Sequence, residues 1–253
     1  KPSQPRQGVR ARAHPYETML GRLGSRFVLN FQPRERRILY SALGKYYDRV
    51  LPIEMSFRLG EEERLLPWAA GEGFELVEQE ITATSVTFRC RSEAVGAQVE
   101  LRYVAPFLPR DVPTSIVPAF IVQVRWEPWL RHGQEPRADA ARLSLRFTGD
   151  PASLVPGTDP LRWQDCFSLR HPWYQESAGP EESINRRLFT GEFCLRAVAP
   201  QPARSDSAAL DLDLPSGATA TLVLAGHCAE QVLDILGSPH RFKYAVLWPD
   251  VET

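Results

Sequence analysis

The stretch Val104-Ala-Pro-Phe-Leu-Pro-Arg-Asp-Val-Pro-Thr-Ser-Ile-Val-Pro-Ala-Phe-Ile-Val-Gln-Val-Arg-Trp126 decides how the chain is read. It joins two strand-like runs, Val99–Val104 and Val117–Trp126, through a connection holding Pro106, Pro109, Pro113 and Pro118. Proline cannot donate a ladder hydrogen bond, so no strand continues through all four. Each proline also pushes the residue before it to extended geometry, which predicts a stiff, open connection. The run Ala119-Phe-Ile-Val-Gln-Val-Arg-Trp126 is rich in β-branched and aromatic residues, the composition of a central strand.

Outward from this stretch the pattern repeats. Val50–Leu59 puts Ile53, Met55, Phe57 and Leu59 on one face. Phe74–Ile81, Ser85–Arg91 and Ala97–Val104 follow as strands, punctuated by turn residues at Gly71, Gly73, Thr82–Thr84 and Ser92–Gly96. Ser25–Phe31 is a first strand, and Arg34–Leu43 fits a strand or a short helix. Downstream, Ala141–Phe147, Trp163–Arg170, Leu188–Val198, Leu210–Leu214 and Thr219–Ala225 read as strands. Glu61-Glu-Glu63 reads as a solvated loop, Ala199–Ser207 as a linker, and Asp211 and Asp213 as the outward face of their strand. About fourteen short segments at close spacing predict an all-β fold, a two-sheet antiparallel β-sandwich. Residues 1–15 are expected as a flexible lead-in and 16–228 as the sandwich. Residues 229–253 are expected as a short C-terminal helical connector: Val232, Leu233 and Leu236 fall at helical spacing before Gly237, and Phe242–Trp248 fits a strand or a helix.

Composition bounds function. The 253 residues carry 30 Lys and Arg against 31 Asp and Glu, which argues against nucleic acid as the main partner. No apolar run reaches the roughly 18–20 residues of a transmembrane helix. The first residue is Lys1 and no leader pattern is visible, so a segment of a longer protein is expected. Cys90, Cys166, Cys194 and Cys228 form no CxxC pair and read as free thiols, which points to a cytoplasmic setting. No metal-binding or cofactor motif stands out, and the five histidines are isolated in sequence. His227 and Cys228 are neighbours, but adjacent strand residues face opposite ways, which argues against a nucleophile–base pair.

The tryptophans offer more. Trp126-Glu-Pro-Trp129 and His171-Pro-Trp-Tyr174 place Trp126, Trp129, Trp173 and Tyr174 near polar residues at strand ends or loops. Flat aromatic faces there could stack on sugar rings; the alternative is that they cover a core.

With those residues in view, the chain resembles the amino-terminal domain of glycoside hydrolase family 116, the family of bile-acid-type β-glucosylceramidases and related bacterial β-glucosidases. The likeness is carried by Tyr103–Phe120, by Gly44-Lys-Tyr-Tyr-Asp-Arg-Val-Leu51, and by Leu214-Pro-Ser-Gly-Ala-Thr-Ala-Thr-Leu-Val-Leu-Ala-Gly226 with Arg241-Phe-Lys-Tyr-Ala245. Trp126-Glu-Pro128 departs from the family pattern, and its glycine-rich opening is missing. The resemblance implies a supersandwich-like domain packed on an intramolecular (α/α)6 catalytic domain, which would hold the nucleophile and the acid/base. It carries no catalytic residue onto this segment and no cofactor. Under it, the chain is a non-catalytic support that edges a sugar-binding cleft, with glycan as a further partner. The rival expectation is a stand-alone carbohydrate- or protein-binding module.

Overall fold

A computed structural model describes residues 9–11, 15–22, 24–25, 27–41, 49–69, 71–129, 141–156, 161–170, 186–200, 202–231, 233–235 and 238–251. The strands, in chain order, are β1 (Val9–Ala11), β2 (Thr18–Gly21), β3 (Val28–Gln32), β4 (Arg37–Ser41), β5 (Arg49–Val50), β6 (Ile53–Leu59), β7 (Glu62–Leu65), β8 (Glu75–Ile81), β9 (Ser85–Ser92) and β10 (Ala97–Val104). Then come β11 (Ala119–Pro128), β12 (Ala141–Phe147), β13 (Leu161–Arg170), β14 (Arg186–Ala199), β15 (Arg204–Ser205), β16 (Ala209–Leu214), β17 (Thr219–His227), β18 (Leu233–Ile235) and β19 (Ser238–His240). Two short α-helices, α1 (Val112–Ile116) and α2 (Tyr244–Leu247), complete the set with a 3-10 turn at Pro151–Ser153.

One layer is an eight-stranded antiparallel sheet in the order β1-β8-β9-β10-β11-β17-β14-β13. The alternation of side chains assigns its two faces. Register aligns Phe88 with Leu101 and Val124, and Tyr103 with Val122 and Leu222, so one face is apolar across four strands. The other face carries Thr87, Arg89, Glu100, Arg102, Gln123 and Arg125 in the alternate rows. There Arg89 reaches Glu78, Glu80 and Glu100. Burial works against its charge, but the three carboxylates outweigh it and hold the guanidinium pKa above its ordinary value.

The second layer is split. A four-stranded sheet, β2-β3-β4-β5, and a five-stranded sheet, β15-β16-β12-β6-β7, cover the same apolar face. Ring contacts fix this. Phe31 of β3 lies 5.2 Å from Phe88 and 4.8 Å from Tyr103, and Tyr40 of β4 lies 4.7 Å from Phe193 of β14. Phe57 of β6 sits 5.5 Å from Trp126 of β11. The expected all-β antiparallel sandwich is therefore present, but its second layer is two sheets rather than the one of a two-sheet sandwich.

The Pro-rich connection is closed rather than open. Asp111 caps α1, its carboxylate accepting from the Thr114 N–H and hydroxyl. The Ser115 hydroxyl exchanges hydrogen bonds with the backbone of Leu108. The Arg22 guanidinium donates to the carbonyls of Pro106, Thr114, Ser115 and Val117.

Other expectations change. Within the supposed lead-in, Val9–Ala11 pairs with β8 as an edge strand. Glu62–Leu65 is a strand rather than a loop, and Glu63 accepts a hydrogen bond from Ser56. The linker holds β15, which pairs with β16. Asp213 is exposed as expected, but Asp211 is buried beside that added strand. The helix expected over Ala229–Leu236 is replaced, among the described residues, by the β18–β19 hairpin. An eight-residue run is too short to hold a helix without packing. Of the connector, only the one-turn α2 is helical among the described residues.

Candidate functional site

The four aromatic candidates do not form one surface. Trp126 is 1% exposed, packs on Phe57 and donates its indole N–H to the Leu214 carbonyl at 2.8 Å. It is a core residue, and no sugar ring reaches it in the folded state. Its alternation within β11 carried that information, since position 126 shares the inward face with Phe120, Val122 and Val124. Trp129, three residues on, is half-buried at the strand end, and the Arg91 guanidinium lies 4.6 Å from its ring centroid. Trp173 and Tyr174 lie outside the described residues.

Two other places gather exposed chemistry. The first is one end of the large sheet. Ala119 at the start of β11 is opposite Ala225 near the end of β17, and the Gly226 N–H donates to the Pro118 carbonyl. The Pro-rich connection therefore stands beside the exit of β17. The C-terminal segment folds back to the same place. The His227 ring Nε2 lies 3.0 Å from the Trp248 carbonyl, which can only accept, so this nitrogen carries the proton. The Tyr244 hydroxyl accepts the Cys228 N–H, and Phe242 stacks on Tyr244. His227 and Cys228 thus anchor a segment and form no nucleophile–base pair. Burial pushes the Cys228 thiol up to about 11, further from a reactive thiolate at neutral pH. From this end Phe107, Leu108 and Val112 of the connection project into solvent, as do Val246 and Leu247 of α2. Val112 and Val246 are 60% and 68% exposed.

The second place is a cleft of about 580 Å³ at the open edge of the sandwich. It lies between β5, the end of β12, the 3-10 turn and β13, the outermost strand of the large sheet. A hydrogen-bonded chain runs into it from the core. The buried Trp163 indole N–H donates to the Tyr40 hydroxyl at 3.1 Å, and Tyr40 donates to Asp165 Oδ2 at 2.7 Å. Asp165 Oδ1 accepts the Cys166 N–H at 2.8 Å. Arg49 Nε lies 3.6 Å from Asp165 Oδ1, and its Nη2 donates to the Cys166 carbonyl at 3.0 Å. Burial, then the Asp165 charge, raises the Tyr40 phenol pKa well above its ordinary value, so Tyr40 is a fixed donor. Gly149 stands close to the Phe147 ring: a Cβ there would lie 2.5 Å from it, so the ring would have to shift. Sequence reading missed this cleft, because its residues come from three separate stretches with no shared motif.

The cysteines are free. Cys90, Cys194 and Cys228 are buried, and Cys166 is exposed at the cleft. Among the described residues, no group of three or more His, Cys, Asp or Glu could hold a metal, and no helix is long and apolar enough to cross a membrane. Comparison with protein-family models and with curated proteins gives no match.

Proposed function

We propose that this chain is a non-catalytic β-sandwich domain of a glycoside hydrolase-like protein, supporting a β-glucosidase- or glucosylceramidase-type (α/α)6 catalytic domain. The observation that carries this is the apolar end of the large sheet. Single exposed apolar side chains are ordinary, but five near one end of the large sheet support the reading of an interaction surface there. The surface is also pre-shaped. Arg22, Ser115 and Asp111 hold the connection, so little ordering entropy remains to be lost on docking. The sequence likeness runs through the same place, since Tyr103–Phe120 forms the connection and Arg241–Ala245 leads into α2.

In this reading the mechanism of the whole protein is retaining hydrolysis of a β-glycoside by two carboxylates of the catalytic domain. This chain contributes position and shape. The second reading, a stand-alone carbohydrate- or protein-binding module, draws on the half-exposed Trp129. The test is hydrolysis of an aryl β-glucoside panel by residues 1–253, with glycan binding read alongside. The expected result is no turnover. Turnover abolished by changing one carboxylate of this chain overturns the proposal, and glycan binding lost in Trp129→Ala moves the assignment to the binding module.

A further inference from the structure

The cleft beside β13 shares no lining residue with the five exposed apolar side chains, although register sets its Gln164 in line with Glu192 and His227. Its lining mixes the hydrogen-bonding types. Arg49 donates, Asp150 and Asp165 accept, Gln164 does both, and Phe147 and Trp163 add apolar wall. We infer that this cleft is a binding site for a neutral hydroxyl-rich ring, a saccharide, with Asp165 and Arg49 taking adjacent hydroxyls.

The chemistry of the pair leads to this class. Each hydroxyl of a vicinal diol both donates and accepts. A carboxylate acceptor and a guanidinium donor 3.6 Å apart offer the complementary set. The charge balance selects against anions, since among the described lining residues two carboxylates outnumber one guanidinium. The pair is also held in advance. Tyr40 and the Cys166 N–H fix the Asp165 carboxylate, and the Cys166 carbonyl holds Arg49. Each carboxylate oxygen keeps lone-pair capacity beyond the bonds it already accepts. A volume of about 580 Å³ lies within the usual range for small-molecule sites.

Cys166 supplies a reporter without altering the protein. It lines the cleft and is exposed, whereas the other three thiols are buried. The experiment measures the rate of Cys166 alkylation by iodoacetamide, read by peptide mass spectrometry. It is run with methyl β-glucoside, cellobiose and lactose, and with inorganic phosphate as the anionic probe. The expected result is saturable protection by at least one saccharide and none by phosphate. Gln164→Ala, at an exposed position, and Asp165→Asn should each raise the half-protecting concentration about tenfold, which is 1.4 kcal/mol of binding. No protection by any of the three saccharides overturns the inference. So does protection by phosphate, or protection that survives unchanged in Gln164→Ala and Asp165→Asn. A change in aryl-glucoside turnover bears only on the preceding proposal.

Discussion

Arg22→Leu should destabilise the protein by about 3–5 kcal/mol, and the number follows from the bonds that Arg22 makes. The side chain is 6% exposed. Its described partners are carbonyls: Val117 at 2.8 Å, Thr114 at 3.1 Å, Ser115 at 3.0 Å, and Pro106. Burial pulls the guanidinium pKa down to about 10, which still leaves it charged at neutral pH. The Ser115 bond is fully buried, so its freed carbonyl costs about 2 kcal/mol. The other three are partly buried, and water can recover some of each, leaving about 0.5–1 kcal/mol apiece. Arg22→Lys keeps the charge but not the planar fork, so about half of the loss should remain. The assay is guanidinium chloride unfolding followed by intrinsic tryptophan fluorescence. With a slope of about 5 kcal/mol per molar, Arg22→Leu should lower the midpoint by about 0.6–1 M. Backbone hydrogen exchange should rise first across residues 106–117, the segment that Arg22 pins. A midpoint shift below about 0.1 M, with exchange across that segment unchanged, would refute the pinning role.

Packing and titration give three further expected outcomes. Trp126→Phe removes the buried 2.8 Å bond to Leu214, and the stranded carbonyl should lower unfolding stability by about 1–3 kcal/mol. In Gly73→Ala the new Cβ would lie 2.3 Å from the Leu65 carbonyl oxygen, so backbone must shift; a loss of about 1–3 kcal/mol is expected in the same melt. Burial raises the pKa values of Tyr40, Tyr103 and Tyr244 above the ordinary value of 10.0. The folded state therefore keeps these protons when the unfolded chain gives them up. Their contribution is intact below about pH 10 and shrinks as the pH rises beyond it. An alkaline titration should show part of the phenolate absorbance appearing only with unfolding, and a smooth rise with all phenols ionising in the folded protein would contradict this.

The strands were legible in the sequence because one face of each is dry and the other wet. Ile53, Met55, Phe57 and Leu59 alternate with more polar neighbours, and all four are buried in β6. The same alternation holds for the buried Trp126, although its polar neighbours Glu127 and Arg125 suggest a surface role. Short edge strands were not legible. Val9–Ala11, Glu62–Leu65 and Arg204–Ser205 gain their order from a neighbouring strand, and their own composition says loop. The β18–β19 pairing was hidden because the apolar spacing over Ala229–Leu236 fits a helix equally well. The closed form of the Pro-rich connection was illegible for another reason. It depends on Arg22, more than eighty residues away in sequence. The cleft is the same case, since Tyr40 and Asp165 meet across a separation of 125 positions.

The central claim, that the apolar end docks on an (α/α)6 catalytic domain, is tested most directly by carbene footprinting of Phe107, Leu108, Val112, Val246 and Leu247. The chain is labelled alone and as one polypeptide with an (α/α)6 β-glucosidase domain. The predicted result is heavy labelling of all five residues in the chain alone and protection of all five in the joined protein, with labelling at Cys166 unchanged. Equal labelling of the five residues in both forms would contradict the claim.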